Sequence, residues 1–288
     1  MDVTAKAYDA GGVQAKSEMS SDHVRNRPMT APDASSIAHF FDDMAVDRNQ
    51  ILRSNPVLDH EQQVRSRTVL ALLDAKPGET ILDIGCGNAR DIIPILRAGA
   101  RIVGVDLSEG MIHHARLDLA AAGHRDVDLA VGDATLLKYP SASFDKILCS
   151  EVIEHVPDAD AAVAEMSRVL KPGGTLVIST PNRSSWYGFD RYVLWRHVLR
   201  RTWNHPFDNW RTMRDLSALL ESHGFQIQTK TTVCYLPGFM LTYWLPGVLQ
   251  RAVVRVVSNT ERLASRFAPT HGYMNVVAAV TRTPTATR

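Results

Sequence analysis

Three short apolar runs that each close on an aspartate constrain this chain more than any other feature. "TILD", "RIVGVD" and "VDLAVGD" end at Asp83, Asp106 and Asp133. Apolar runs of this length bounded by glycine read as strands buried on both faces. Helix-period segments lie between them, "RDIIPILRAGA" in spite of Pro94, then "SEGMIHHARLDLAAAG". "FDKILCSE", "DADAAVAEMSRVL" and "PGGTLVISTPN" continue the alternation, and "LSALLESHGFQIQTK" and "YMNVVAAVTR" finish it. Alternation with short links predicts an α/β fold, a doubly wound, Rossmann-like and mostly parallel sheet of about seven strands. Upstream, a helix is expected from about Ile37 and a second over "HEQQVRSRTVLALLDA", stopped by Pro77-Gly78. Residues 1–35 lack an apolar signal core and are read as a flexible tail, with one domain over 36–288.

Composition enters at two points. The formal net charge of +1 hides an asymmetry. Residues 1–183 hold 19 Lys+Arg against 26 Asp+Glu, a balance of −7, and residues 184–288 hold 13 against 5, a balance of +8. A basic last part suits an anionic partner such as lipid headgroups, phosphates or nucleic acid, or a few solvated arginine-rich helices. The three cysteines, Cys86, Cys149 and Cys234, are odd in number and far apart without metal-type spacing, so a reducing, cytoplasmic setting is expected.

In open parallel sheets, ligands sit at the carboxyl ends of the strands. Asp83 leads into the turn "IGCGNARD", where Gly85 and Gly87 permit a tight bend and close approach of a ligand. The spacing is not G-x-G-x-x-G, so a dinucleotide cradle is not expected. A carboxylate at Asp106 can accept from both hydroxyls of a ribose, and Asp133 can meet an adenine amino group.

These stretches, with "GDATLLKYPSASFDKILCSEVIEHV" and "LKPGGTLVISTPN", resemble the ordered motifs of the class I S-adenosylmethionine-dependent methyltransferases over about residues 37–230 and the last strand. The resemblance implies S-adenosylmethionine as cofactor. It places Gly85 and Gly87 against the methionine part, Asp106 on the ribose, and Asp133 with Ala134 beside the adenine. Asp83, Cys86, Leu107 and Ser150 complete the expected donor-binding set. Arg65 matches a donor-binding arginine of the ubiquinone-biosynthesis group. The usual third glycine of the loop is Ala89 here.

"SEVIEHV", residues 150–156, places Glu151, Glu154 and His155 beside the expected methyl group. On a helix, positions i, i+3 and i+4 share a face, so the three would converge. Two carboxylates and an imidazole suit a divalent cation, Mg2+ or Zn2+. Glu-x-x-Glu-His also resembles the ubiquinone-biosynthesis O-methyltransferases and the small-RNA 2′-O-methyltransferases, a likeness that implies metal binding. Both groups place a histidine beyond the fifth strand, and "HPFDNWRTMRDL" supplies His205, followed by Trp210, Thr212 and Leu216 at the ubiquinone-type spacing. The metal set would be Glu151, Glu154, His155 and His205. The alternatives are metal-free catalysis by His155, His205 and Glu151, or a carboxylate and imidazole that only favour a helix start.

Two stretches break the alternation and are read as cap insertions, about 184–214 and 233–268. In "WYGFDRYVLWRHVLRRTW", Tyr192, Trp195, Leu199 and Trp203 share a face flanked by arginines. Residues 233–250 carry no charge, but two Pro-Gly pairs argue against a membrane span, and Arg251, Arg255, Arg262 and Arg266 follow. The expected activity is O-methylation of a hydroxyl on a hydrophobic or lipid-like small molecule of the quinone-precursor type, with peripheral contact to an anionic membrane surface. A sugar or secondary metabolite is an alternative acceptor. RNA is disfavoured, because a long apolar stretch is poor nucleic-acid-binding material and no RNA module is present.

Overall fold

The computed structural model describes residues 33–189, 207–235, 245–267 and 269–282. The expected tail therefore lies outside the described residues, apart from its last few positions. So do Tyr192, Trp195, Leu199, Trp203 and His205 of the first insertion and residues 236–244 of the second.

Two helices, α1 (Ala34–Ser54) and α2 (Pro56–Leu73), lead into the alternation. It runs β1 (Thr80–Ile84), α3 (Ile92–Arg97), β2 (Arg101–Asp106), α4 (Glu109–Ala121), β3 (Asp128–Val131), β4 (Phe144–Ser150), α5 (Ala159–Val169) and β5 (Leu170–Pro181). The described remainder is α6 (Trp186–Phe189), α7 (Met213–Ser222), β6 (Phe225–Val233), α8 (Gly247–Phe267) and β7 (Met274–Thr281). The seven strands form one open sheet in the order β3-β2-β1-β4-β5-β7-β6. The first five are parallel, and β7 runs antiparallel between β5 and β6. The expected doubly wound, mostly parallel architecture is thus present. One apolar layer packs α5 and α7 on one face around Ile147, Met166, Leu216 and Phe225. The other packs α2, α3 and α4 on the opposite face around Val69, Ile92 and Ile112.

Local chemistry sets the ends of the helices that shape the site. Asn55 caps α2, its side chain accepting from Val57 N at 3.0 Å and Leu58 N at 3.1 Å, with Pro56 at the first helical position. α2 ends at Leu73, ahead of Pro77-Gly78, because Asp74 turns left-handed (φ 46°). Ser108 caps α4 and accepts from Met111 N at 2.9 Å. Asp42 of α1 reaches the same helix start, its Oδ1 accepting from Ser108 Oγ at 2.5 Å and Gly110 N at 2.9 Å. A carboxylate at a helix N-terminus meets backbone donors and the positive end of the dipole. That clasp ties α1 across the carboxyl ends of the strands.

Asp42→Ala should remove it. The expected loss of global stability in a urea titration is about 1 kcal/mol. In hydrogen exchange, α1 should become the first of the sheet-covering helices to lose protection. Unchanged exchange in α1 would show that other contacts hold it.

Candidate functional site

The order of the sheet reverses between β1 and β4, and at such a point the loops leave in opposite directions and open a crevice. There lies a cavity of about 330 Å³. Asp83, Gly85, Cys86, Gly87, Asp106 and Leu107 line it from β1 and β2. Asp133 and Ala134 line it from the β3 loop, Ser150 from β4, and Arg65 from α2. The ten residues expected at the donor site are therefore brought to one wall system.

Backbone donors fix the carboxylates. Asp106 accepts from Gly87 N through Oδ2 and from Ser108 N through Oδ1, both at 2.9 Å, so β2 holds the glycine turn in place. Asp133 Oδ1 accepts from the N and Oγ1 of Thr135, each at 2.8 Å. Gly85 (φ 68°) has no room for a side chain, since a Cβ would collide with Val152. A Cβ on Gly87 (φ 52°) would meet no atom within 4 Å. The loop thus leaves open space at Gly87 for a ligand to lie against backbone. Ala89, where a third glycine is usual, adopts φ 62° and is buried.

Arg65 is 5% exposed and is a buried cation of the site. It donates to Ser150 Oγ through Nη1 and to Gln62 Oε1 at 2.6 Å, and its Nη1 lies 3.7 Å from Asp91. Its Nε is buried without a hydrogen-bond partner among the described residues. Asp83 is held well above the usual carboxylate range by burial and by the charges of Asp91 and Asp106, with Arg65 opposing. A polar relay continues from Ser150 Oγ to Ser179 Oγ at 2.8 Å and on to Glu151 Oε1 at 3.3 Å.

Around "SEVIEHV" the structure corrects the expectation of one continuous helical face. Glu151 is left-handed (φ 60°), residues Ile153–His155 form a single 3-10 turn, and α5 begins only at Ala159. Glu154 turns inward, 1% exposed, and accepts from Thr180 Oγ1 at 2.9 Å. His155 turns toward the cavity. Its Nδ1 lies 3.0 Å from Phe207 O, and its Nε2 lies 3.8 Å from Glu154 Oε1. A carbonyl only accepts, so Nδ1 is the donor of the contact to Phe207. Among the described residues, no three His, Cys, Asp or Glu side chains are disposed to hold a metal ion. The expected Glu151, Glu154 and His155 ligand set is therefore not assembled, because Glu154 is spent on the interior and Nδ1 on a carbonyl. Burial pushes the carboxyls of Glu151 and Glu154 up to about 8, Glu151 further raised by the charge of Glu154.

The described residues at the end of the first insertion and just beyond it have structural tasks. Trp210 is buried against Tyr273, Thr212 caps α7 in a capping box with Asp215, and Leu216 is core. The wall built by α1 was not anticipated. Ile37 and Phe41 line the cavity, and Phe41 meets the His155 ring edge-on at 5.1 Å. Their i, i+4 spacing showed an apolar face but not what it would cover.

A methyltransferase domain family matches residues 82–178. The chain is 35% identical over 165 residues to a demethylmenaquinone methyltransferase of Streptomyces avermitilis, covering 57% of this chain and 68% of that protein. It is 34% identical to a ubiquinone biosynthesis O-methyltransferase of Brucella anthropi, over 56% of this chain and 65% of that protein. In structure it resembles a SAM-dependent methyltransferase of Thermotoga maritima, with a TM-score of 0.60 and 20% identity, over 85% of this chain and all of that one.

The buried acid pair gives a pH signature. A folded carboxyl at about 8 against an ordinary 4.5 binds a proton that the unfolded chain releases between those values. Its stabilisation is complete below 4.5 and is lost as pH rises through about 8. The unfolding free energy of the ligand-free chain should therefore fall across that window. Glu154→Gln should flatten the decline, and an unaltered slope would assign it to other groups.

Proposed function

Because the chain belongs to the class I S-adenosylmethionine-dependent methyltransferases, we propose that it methylates an ionisable hydroxyl on a hydrophobic small molecule of the quinone-precursor type. The observation that carries this reading is the place of His155, whose imidazole stands on the wall of the same cavity that gathers the strand-end carboxylates. The acceptor class is supported by the names of the relatives, one of demethylmenaquinone and one of ubiquinone biosynthesis.

The residues present fit the donor. Gly87 leaves the space, Asp106 and Asp133 offer carboxylates whose planes are set by backbone and threonine donors, and Arg65 offers a buried cation with an unpartnered Nε. When bound, S-adenosylmethionine supplies a methyl group on a cationic sulfur that is already a good leaving system. The work left to the protein is positioning and proton removal. Ile37 and Phe41 cover the cavity and limit water. With the donor bound, His155 would take the proton of the hydroxyl that receives the methyl group. Glu154, whose Oε1 lies 3.8 Å from the ring's Nε2, would steady the resulting imidazolium when ionised. Glu151, at the end of the serine relay, is placed to hydrogen-bond the acceptor through a carboxyl that stays protonated below about pH 8. The same base would serve an acidified ring carbon, and product analysis separates the two.

Two substitutions test separate parts. Asp106→Ala should weaken S-adenosylmethionine binding in calorimetry by roughly 10–100-fold, the worth of charge-assisted hydrogen bonds. His155→Ala should bind the donor with little change but lower turnover of catechol-type acceptors by roughly 10²–10⁴-fold. The product should gain one methyl on oxygen by mass spectrometry. Wild-type turnover in His155→Ala would overturn the assignment of the base.

A further inference from the structure

The long helix α8 carries large apolar groups on its exposed side as well as on its inner one. Inward, the partly buried Val253 and Val254 flank buried Gln250 and half-buried Glu261, whose carboxyl is raised by that burial. Its outward side carries large apolar groups, with Val248 69%, Leu249 50%, Val256 63% and Phe267 82% exposed. Plotted at about 100° per residue, these four fall within roughly 100° of arc, and the exposed Arg251, Arg255 and Arg266 fill the adjoining ~60°. Glu261, the one acidic residue of α8, lies on the opposite side. An ordinary surface helix keeps its apolar stripe on the core and polar residues outside, so the exposed strip is the unusual feature. Among the described residues, no helix is long and apolar enough to cross a membrane.

We propose that the outward face of α8 docks this protein on an anionic lipid surface. An apolar strip beside a row of arginines is the pattern of a helix that lies in the plane of the headgroups. Charge decides between lipid and a second copy of the chain. A two-fold pairing on this face would set each arginine row against itself, with no outward acid on the helix to relieve the repulsion. Phosphate headgroups meet the same row with the opposite sign. The proposal is independent of the acceptor, because no α8 residue lines the donor cavity.

The test is vesicle flotation of the full chain with phosphatidylcholine alone and with added phosphatidylglycerol, at low and high salt. The wild type should float with the anionic vesicles only, and salt should release it. The triple variant R251Q/R255Q/R266Q should lose binding on the order of 100-fold, from about 1 kcal/mol per basic residue at a charged surface. Val248→Ser with Phe267→Ser should weaken binding at both salt levels. These are surface positions, so unfolding midpoints and S-adenosylmethionine affinity should stay at wild-type values, which separates lost docking from misfolding. Equal flotation of wild type and triple variant would overturn the proposal, as would no flotation of the wild type. A concentration-dependent dimer in sedimentation that the triple variant abolishes or strengthens would give the face to a second copy and also overturn it.

Discussion

One buried guanidinium holds the site together. Arg65 stands at the carboxyl ends of β1 and β4, where Asp83, Asp91, Glu151 and Glu154 crowd acidic groups into low dielectric. Its bonds to Ser150 and Gln62 and its approach to Asp91 pin α2 to the strand ends. A buried charge left without its partner costs about 3–5 kcal/mol. Burial is the largest influence on Asp83, Glu151 and Glu154, and it keeps them protonated against the attraction of Arg65. The three are weak acids beside the guanidinium that opposes their protonation.

The donor side follows a different rule. There the carboxylates are not left to find partners. The oxygens of Asp106 are each met by a backbone N–H, and one oxygen of Asp133 by a backbone N–H and a hydroxyl, before any ligand arrives. Such groups need little reorganisation when a ligand binds, which is the condition for positioning to contribute to rate. The glycine turn is held both from β2, by Asp106 and Val105 O, and within its own loop, where Ala89 N donates to Cys86 O at 2.9 Å. Those bonds hold Ala89 in a left-handed conformation that costs an ordinary residue about 1–2 kcal/mol.

The strands and the gathering of Asp83, Asp106 and Asp133 in one cavity were legible because both are local. An apolar run that closes on an aspartate states its own strand and roughly where it ends within a few residues. The acid–base side was misread where local rules gave way to long-range ones. The i, i+3, i+4 convergence of Glu151, Glu154 and His155 needed an α-helix, but Ser179 O binds Glu151 N and bends the chain into a left-handed residue and a single 3-10 turn. No spacing shows that bond, since β5 supplies the carbonyl. α1 illustrates the same limit. Its helical period was visible, but the clasp of Asp42 on the start of α4, which carries Phe41 onto His155, joins residues more than sixty positions apart. Thr212 and Leu216 show a further cause. Their spacing matched a family pattern, yet one is a cap and the other core.

The orientation of His155 depends on a segment far from it in sequence. Phe207 O holds the imidazole through Nδ1, and Asn209 N donates to Glu154 O at 2.8 Å, so one short stretch sets both the ring of His155 and the backbone of its neighbour. That stretch is fastened in turn by Trp210 against Tyr273, and Tyr273 stacks on Tyr187, whose hydroxyl donates to Glu61 at 2.8 Å. Glu61 sits one helical turn before Arg65 on α2. The chain of contacts therefore closes on the guanidinium from which the acid side takes its charge balance. The strand-end wall and His155 are thus two ends of one buried network, so displacing the aromatic cluster would move His155 without touching any strand-end carboxylate.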